Sequence, residues 1–224
     1  MKRHADLTKR AHVAASDLPW VASPMAGVER RMLERDGDEV ARATSLVRYA
    51  PGSRFSAHRH DGGEEFIVLS GVFSDETGDF PAGSYVRNPV GSAHVPYSEP
   101  GCIIFVKLWQ MPAEDQLYVR SSLNDSSRLE PTGEGERMHL LHATPHEQVA
   151  LVALSPGAEL REVFFPGGVE YFVLSGSFSD AAGTYQACDW LRLPCGSRHT
   201  IRSAEGCRLY RKTGHLAAPP PFPA

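Results

Sequence analysis

The sequence predicts an all-β chain in which one barrel- or sandwich-like unit is built twice. Strand punctuation is the first observation. Short runs rich in Val, Ile, Phe, Tyr and Thr alternate with Gly, Pro, Asn and Asp along the whole length. The second observation is an internal repeat. Pro51-Gly52 returns as Pro156-Gly157, and at the same offset Val68-Leu-Ser-Gly71 returns as Val173-Leu-Ser-Gly176. Phe73-Ser-Asp75 returns as Phe178-Ser-Asp180, Gly78 as Gly183 and Gly101-Cys102 as Gly206-Cys207. Pro89-Val-Gly-Ser-Ala-His94 returns as Pro194-Cys-Gly-Ser-Arg-His199, with no gap anywhere in the span. Two long copies make a duplicated domain and not a solenoid. At 224 residues and 42% hydrophobic, the chain can fill two cores.

In order along the chain, the first forty residues read as a lead-in, irregular and extended around Asp17-Leu-Pro-Trp20 and Ser23-Pro24. Residues 27–33 and 41–49 read as strands turning through Asp36-Gly37-Asp38; a helix over 28–42 is disfavoured because it has little apolar face at helical spacing. Residues 65–73, 103–109 and 170–178 read as strands, and 61–63, 76–83 and 89–92 as turns. The connection between copies is expected at 113–124, ahead of a polar, turn-rich 123–135. The expected division is 1–115, 116–213 and a Pro-rich tail, 214–224, drawn as an extended strap.

Composition narrows the function. The formal net charge is −4 and no long basic run occurs, which excludes a dedicated nucleic-acid surface. The cations of the opening MKRHADLTKR read as a solvated arm. No apolar leader opens the sequence, and the longest apolar run, 102–106, is far too short to span a bilayer, so the expectation is a cytoplasmic protein without a membrane role. Cys102, Cys188, Cys195 and Cys207 form no C-x-x-C pair and are expected as free thiols. Cys195 and His199 make a C-x3-H, read here as a buried or partly buried thiol beside a histidine.

The chemistry concentrates between Gly52 and Gly71. His58 and His60 are two apart, so in a strand they share one face. Gly62 and Gly63 turn the chain, and Glu64 opens the next strand with Phe66 and Val68 on its own face. His94, after the Pro89–Ser92 turn, can close the set from a neighbouring strand. Three imidazoles and a carboxylate suit one divalent transition metal, zinc or iron first, with nickel and manganese also compatible. Phe55, Phe66, Tyr85 and Tyr97 are expected to line a pocket beside it.

G-x5-H-x-H-x3-E-x6-G, from Gly52 to Gly71, followed by G-x5-P-x-G-x2-H, from Gly83 to His94, resembles the two-part signature of the cupin superfamily. The family's pattern continues with an Asn where this chain has Ser98. More narrowly, residues 62–110 are similar to the cupin domain of ChrR-type anti-sigma factors, and to related diketone-cleaving dioxygenases with a three-histidine iron site. The resemblance implies two tandem double-stranded β-helix (jelly-roll) barrels and a metal held by His58, His60, Glu64 and His94. It also implies either oxygenase chemistry on a small organic substrate such as a diketone, or a non-catalytic module sensing singlet oxygen or organic peroxides. ChrR-type regulators carry an N-terminal helical zinc module that binds the sigma factor. Residues 1–50 have no cysteine and are too short for it, so sigma-factor binding is not expected. Cupins are often dimers, and a homodimer stays open.

The second copy replaces the ligands. His58 corresponds to Val163, His60 to Phe165 and Glu64 to Val169; only His94 keeps its type, as His199. One imidazole among apolar groups does not hold a divalent ion, so the second barrel is expected to be a plugged, structural copy. Glu65 recurs as Glu170 in the copy that lost its ligands, which marks Glu65 as structural; an ion pair across the sheet or between the barrels is expected, with Arg87 and Arg192, also paired by the repeat, as candidate partners. His139, His142 and His146 form a local cluster, read as solvated histidines in a turn-rich segment. Whether the chain is an enzyme stays open.

Overall fold

The structure is a computed structural model that describes residues 1–38 and 40–220. Residues 221–224 of the expected strap lie outside the described residues. Among the described residues there are only strands, turns and two single-turn 3-10 helices, Ala15–Asp17 and Ser126–Arg128. The chain divides into two compact units, with the boundary between Asn124 and Asp125. Residues Asp6–Asp17 belong to the second unit, because the strand Ala11–Ala14 pairs antiparallel with Asp189–Leu193.

The first unit is a jelly roll. Its larger sheet runs Lys2–Arg3, Val28–Gly37, Ala41–Tyr49, Cys102–Leu108, Glu64–Asp75, Ser84–Asn88, Val119–Ser122, all antiparallel. The opposing layer is made of short pairs, Ala93–His94 on His58–Arg59 and Tyr97–Ser98 on Ser53–Arg54. Glu64–Asp75 serves both layers. Its first half pairs with Cys102–Leu108, and beyond Gly71 it pairs with Gly78–Pro81. The hinge is Gly71, at φ +72, where an added Cβ would lie 1.9 Å from the Gly101 carbonyl oxygen. Only glycine accepts both that backbone and that approach, which explains why the VLSG motif recurs as it does. Gly176 sits the same way in the second unit, at φ +71 with the Gly206 oxygen 2.2 Å from such a Cβ.

The strands expected at 27–33 and 41–49 are one long antiparallel pair, Val28–Gly37 and Ala41–Tyr49. The stretch expected as a connection contains the strand Val119–Ser122, which completes the first unit's sheet. The second unit repeats the plan with Glu136–Ala143, Gln148–Leu154, Cys207–Thr213 and Val169–Asp180 in its larger sheet and Ala158–Phe165 on Ser197–Ser203 opposite.

Alternation decides each core. In the first unit Phe66, Val68, Phe73, Val86, Ile104 and Val106 face inward and are almost wholly buried. The opposite face of the same strands carries a buried ionic cluster. Arg87 donates to Glu65 at 2.9 Å and to Asp115 at 2.6 Å. Arg87, one of the two arginines expected as partners of Glu65, thus pairs with it. A guanidinium buried this deeply needs both carboxylates to offset its lost hydration. In the second unit Glu170 and Arg192 stand opposite each other in register, and Glu170 also accepts from the Trp190 indole at 2.7 Å.

Two expectations about polar residues are corrected. His139 and His142 are buried on the strand Glu136–Ala143, and only His146 is exposed. Val and Leu neighbours on the paired strand Gln148–Leu154 make this a half-buried sheet, a pattern that the polar residues before it concealed. Cys195 is exposed rather than buried, while Cys102 and Cys207 are buried and Cys188 is intermediate; all four are free thiols.

Candidate metal centre

Antiparallel pairing of two very short strands builds the site. His94 stands opposite His58 in register. His60 follows two residues later, its backbone N–H held by the Ser92 carbonyl at 2.8 Å. The turn Asp61–Gly63 then lets Glu64 enter the long strand beside the histidines; Gly63 takes φ +73 there. As a result His58, His60 and His94 each bring a ring nitrogen within 4.8 Å of the others. The Nε2 atoms of His60 and His94 are 2.9 Å apart. Glu64 Oε2 lies 3.4 Å from His60 Nε2 and 3.7 Å from His94 Nε2. His60, His94 and Glu64 are buried, and His58 is half-buried.

Hydrogen bonds behind the rings set their tautomers. His94 Nδ1 donates to Asp75 Oδ2 at 3.0 Å, and His58 Nδ1 donates to the Ser56 carbonyl at 2.9 Å. Each then presents an Nε2 lone pair inward, the usual device by which an outer partner orients a metal-binding imidazole. Asn88 donates to Glu64 Oε2 at 3.0 Å and accepts from Arg120 at 2.8 Å, which fixes the carboxylate. Burial pushes the His60 pKa below its ordinary value against the pull of Glu64, with His94 and His58 adding to the push. His94 is also driven down by burial, but the Asp75 hydrogen bond and Glu64 outweigh this and hold it above its ordinary value. Burial raises Asp75 too, and its bonds to His94 and Thr77 bring it below the usual carboxylate range.

These donors fit a divalent ion. Ring nitrogens 2.9 Å apart are held either by a proton that one donates to the other or by a cation that both ligate. The separation matches neighbouring ligands that each bind at about 2.0–2.1 Å. Nitrogen and carboxylate donors suit zinc and iron, and three imidazoles with one carboxylate leave coordination positions for a small molecule.

A cavity of about 400 Å³ opens over the histidines. His58, His60 and Glu64 form its polar floor, and Met25, Val28, Val47, Ile104, Val106 and Leu108 form much of its wall. Of the four aromatics expected there, Phe55 lines it. The other three lie elsewhere. Phe66 is sealed in the core against Phe73, with ring centroids 4.6 Å apart. Tyr85 stands opposite Ile67 and so points to the other face of the sheet from Glu64. Tyr97 lies under the Arg54 guanidinium, 4.5 Å from its ring centroid.

Two residues of the site were not singled out by the sequence: Asp75 and Asn88. Asn88 had a usable signal, because its counterpart in the second copy is Leu193, the same polar-to-apolar change that removes the ligands. Asp75 had none, since Asp180 matches it.

The second unit shows the site dismantled. Val163 stands opposite His199 as His58 does opposite His94. Phe165 and Val169 are buried in the core, with Val163 packed against it. His199 Nδ1 keeps its carboxylate, Asp180, at 3.3 Å, while its Nε2 meets the hydroxyl of Tyr171 at 3.1 Å.

Two stacked β-layers per unit with a histidine-rich floor define the chain as a tandem cupin with a candidate metal centre in one barrel. The profile of the ChrR cupin-like domain family matches residues 8–112 and again 123–217. The chain belongs to that family. Among solved structures it is similar to a candidate dioxygenase from Nostoc punctiforme PCC 73102, at 13% identity and TM-score 0.73, over 94% of this chain and 85% of that one. It is also similar to protein Ylba from E. coli, at 16% identity and TM-score 0.68, over 94% and 93%. A Cupin 2 conserved barrel domain protein from Leptotrichia buccalis matches at 12% identity and TM-score 0.62, over 96% and 100%. At such identities the likeness is one of fold. No curated protein sequence matches the chain.

Proposed function

We propose that the first barrel binds one divalent transition metal through His58, His60, His94 and Glu64 and acts on a small organic molecule held in the adjoining cavity. The observation that carries this is that His58 and His60, two of the three convergent imidazoles, lie with Glu64 on the floor of an otherwise mainly apolar cavity. A structural ion needs no such opening. A divalent metal there supplies a Lewis acid that polarises a carbonyl and, if it is iron, a redox centre for oxygen chemistry. The chain's own residues supply the rest. Asp75 and Ser56 orient the histidines, Asn88 orients Glu64, and the apolar wall binds the body of the substrate and excludes water. The reaction class that fits is oxygen-dependent cleavage of a small substrate such as a 1,3-diketone.

Elemental analysis and oxygen uptake test the proposal together. The purified protein should carry one metal per chain, and His60→Ala should lose it while the second barrel stays folded. Iron with diketone-dependent oxygen consumption supports the enzyme. Zinc without turnover supports a sensing module instead, a reading that the family's ChrR association favours. Full metal content in a folded His60→Ala protein would sink the site itself.

A further inference from the structure

One cavity residue has no role in the metal site. Tyr49 ends the strand Ala41–Tyr49, whose inward face also brings Ala41 and Val47 to the cavity. Its partners in register are Val28 on one side and Cys102 on the other. The side chain is buried to 6% exposure, and its ring packs edge-on against Phe73 at 5.6 Å. Its hydroxyl makes no hydrogen bond among the described residues, and the residue lines the cavity. An open cavity beside it offers a partner that the chain does not.

The internal repeat separates Tyr49 from the scaffold. Tyr49 pairs with Cys102 as Leu154 pairs with Cys207, so the second barrel has Leu at the same place. His58, His60, Glu64 and Asn88 change to Val163, Phe165, Val169 and Leu193 in the same comparison. Several groups of the frame keep their type, as Cys102 and Cys207 or Ser98 and Ser203 do. Tyr49 thus changes with the site, and Leu154 shows that this position in the barrel does not need a hydroxyl.

Building on the proposed metal-dependent function, we infer that Tyr49 is a ligand-positioning residue: its hydroxyl donates a hydrogen bond to a carbonyl or carboxylate oxygen of a small organic ligand whose body is apolar. The class follows from the cavity. Its wall of Met25, Val28, Val47, Ile104, Val106 and Leu108 takes hydrocarbon or aryl surface, and a phenol at neutral pH is a donor. About 400 Å³ is at the small end of ligand pockets. His58, His60 and Glu64 are the cavity's polar floor, which places the ligand's polar end over the histidines and its apolar end against the wall.

The test uses the zinc-loaded full chain and 1-phenylbutane-1,3-dione, with affinity by calorimetry and metal content by elemental analysis. Tyr49→Phe removes only the hydroxyl. It should keep one zinc per chain and bind the diketone about tenfold more weakly, the loss expected for one neutral hydrogen bond in a buried site. Tyr49→Leu, which copies the second barrel, should lose at least as much. Butylbenzene, which has no oxygen, should bind wild type and Tyr49→Phe alike. Diketone binding by Tyr49→Phe within twofold of wild type, with zinc intact, overturns the role of Tyr49 and leaves the metal-centre reading standing. A zinc-loaded wild type that binds no diketone overturns the ligand class. A wild type that takes up no metal overturns the reading on which this inference rests, and the inference with it.

Discussion

Replacing Asp75 by Asn should cripple metal binding without touching a ligand. Asp75 Oδ2 accepts from His94 Nδ1 at 3.0 Å, and its other oxygen caps the next turn by accepting from the Thr77 amide at 2.7 Å and the Thr77 hydroxyl at 2.6 Å. Asn keeps the shape and one acceptor. With Oδ1 holding the turn, its NH2 faces His94, where it meets an N–H instead of accepting it. His94 must then move its proton to Nε2, the atom that points at His60 from 2.9 Å. A protonated Nε2 cannot ligate. Loss of such an outer partner costs about 10–100-fold in metal affinity, or about 1.4–2.8 kcal/mol. Competition against a chromophoric chelator measures it directly. The second barrel supplies the control, because Asp180 holds His199 and the following turn in the same way. Asp180→Asn should alter stability and leave metal affinity unchanged. A folded Asp75→Asn protein with wild-type affinity would refute the tautomer argument.

Other expected outcomes follow from the same geometry. Glu65→Gln should destabilise the first barrel by about 3 kcal/mol in chemical denaturation, since it leaves buried Arg87 with Asp115 as its charged partner, while metal stoichiometry stays at one; metal loss from a well-folded variant would count against the structural role. Gly71→Ala combines a positive φ with a Cβ 1.9 Å from a carbonyl oxygen, so a loss of more than about 2 kcal/mol is expected, read as a drop in the melting temperature. Tyr171→Phe leaves His199 Nε2 without its 3.1 Å partner and should cost about 1–2 kcal/mol with no effect on metal content. Burial pushes Asp180 up, but Arg10, the Ala182 amide and Tyr185 bring it down to about 2 from 3.8. A depressed carboxyl contributes stability that is present above its unfolded value and is lost as pH falls through the folded value. Acid titration between pH 4 and 2 should therefore show a stability slope that flattens in Arg10→Ala.

The four metal candidates were legible because ligation demands particular side chains at strand spacing, and because His58, His60 and Glu64 lie within one turn of each other in sequence. The aromatic lining was not legible. Phe66 shares a face with Glu64, as alternation dictates, but depth along the strand decides whether a residue meets the cavity or the core, and Phe73 and Phe80 close over it. Tyr85 is one residue out of phase with Asn88 and so faces Arg87's side. The exchange of Ala11–Ala14 into the second unit's sheet was equally hidden. Four residues with alternating burial pair wherever an edge is free, and the sequence does not say which edge that is.

The duplicated copy acts as an experiment in removing a metal centre while keeping its frame. His94 and Asp75 survive as His199 and Asp180, still bonded through Nδ1. That leaves the inward Nε2 to be satisfied once the other ligands are gone. In the first barrel the strand residue after Glu65 is Phe66, and in the second its counterpart is Tyr171. The added hydroxyl reaches His199 Nε2 at 3.1 Å, and Phe165 and Val169 fill the space around it. Burial lowers the His199 pKa against the pull of Asp180, so the ring stays neutral and a phenol can bond to it. One oxygen atom thus does for His199 what a cation is proposed to do for His94. The reverse exchange follows: Phe66→Tyr should place a hydroxyl at His94 Nε2 and compete with the metal. Elemental analysis should find it metal-poor and folded, and a Phe66→Tyr protein with full metal content would show that the two histidines are not equivalent.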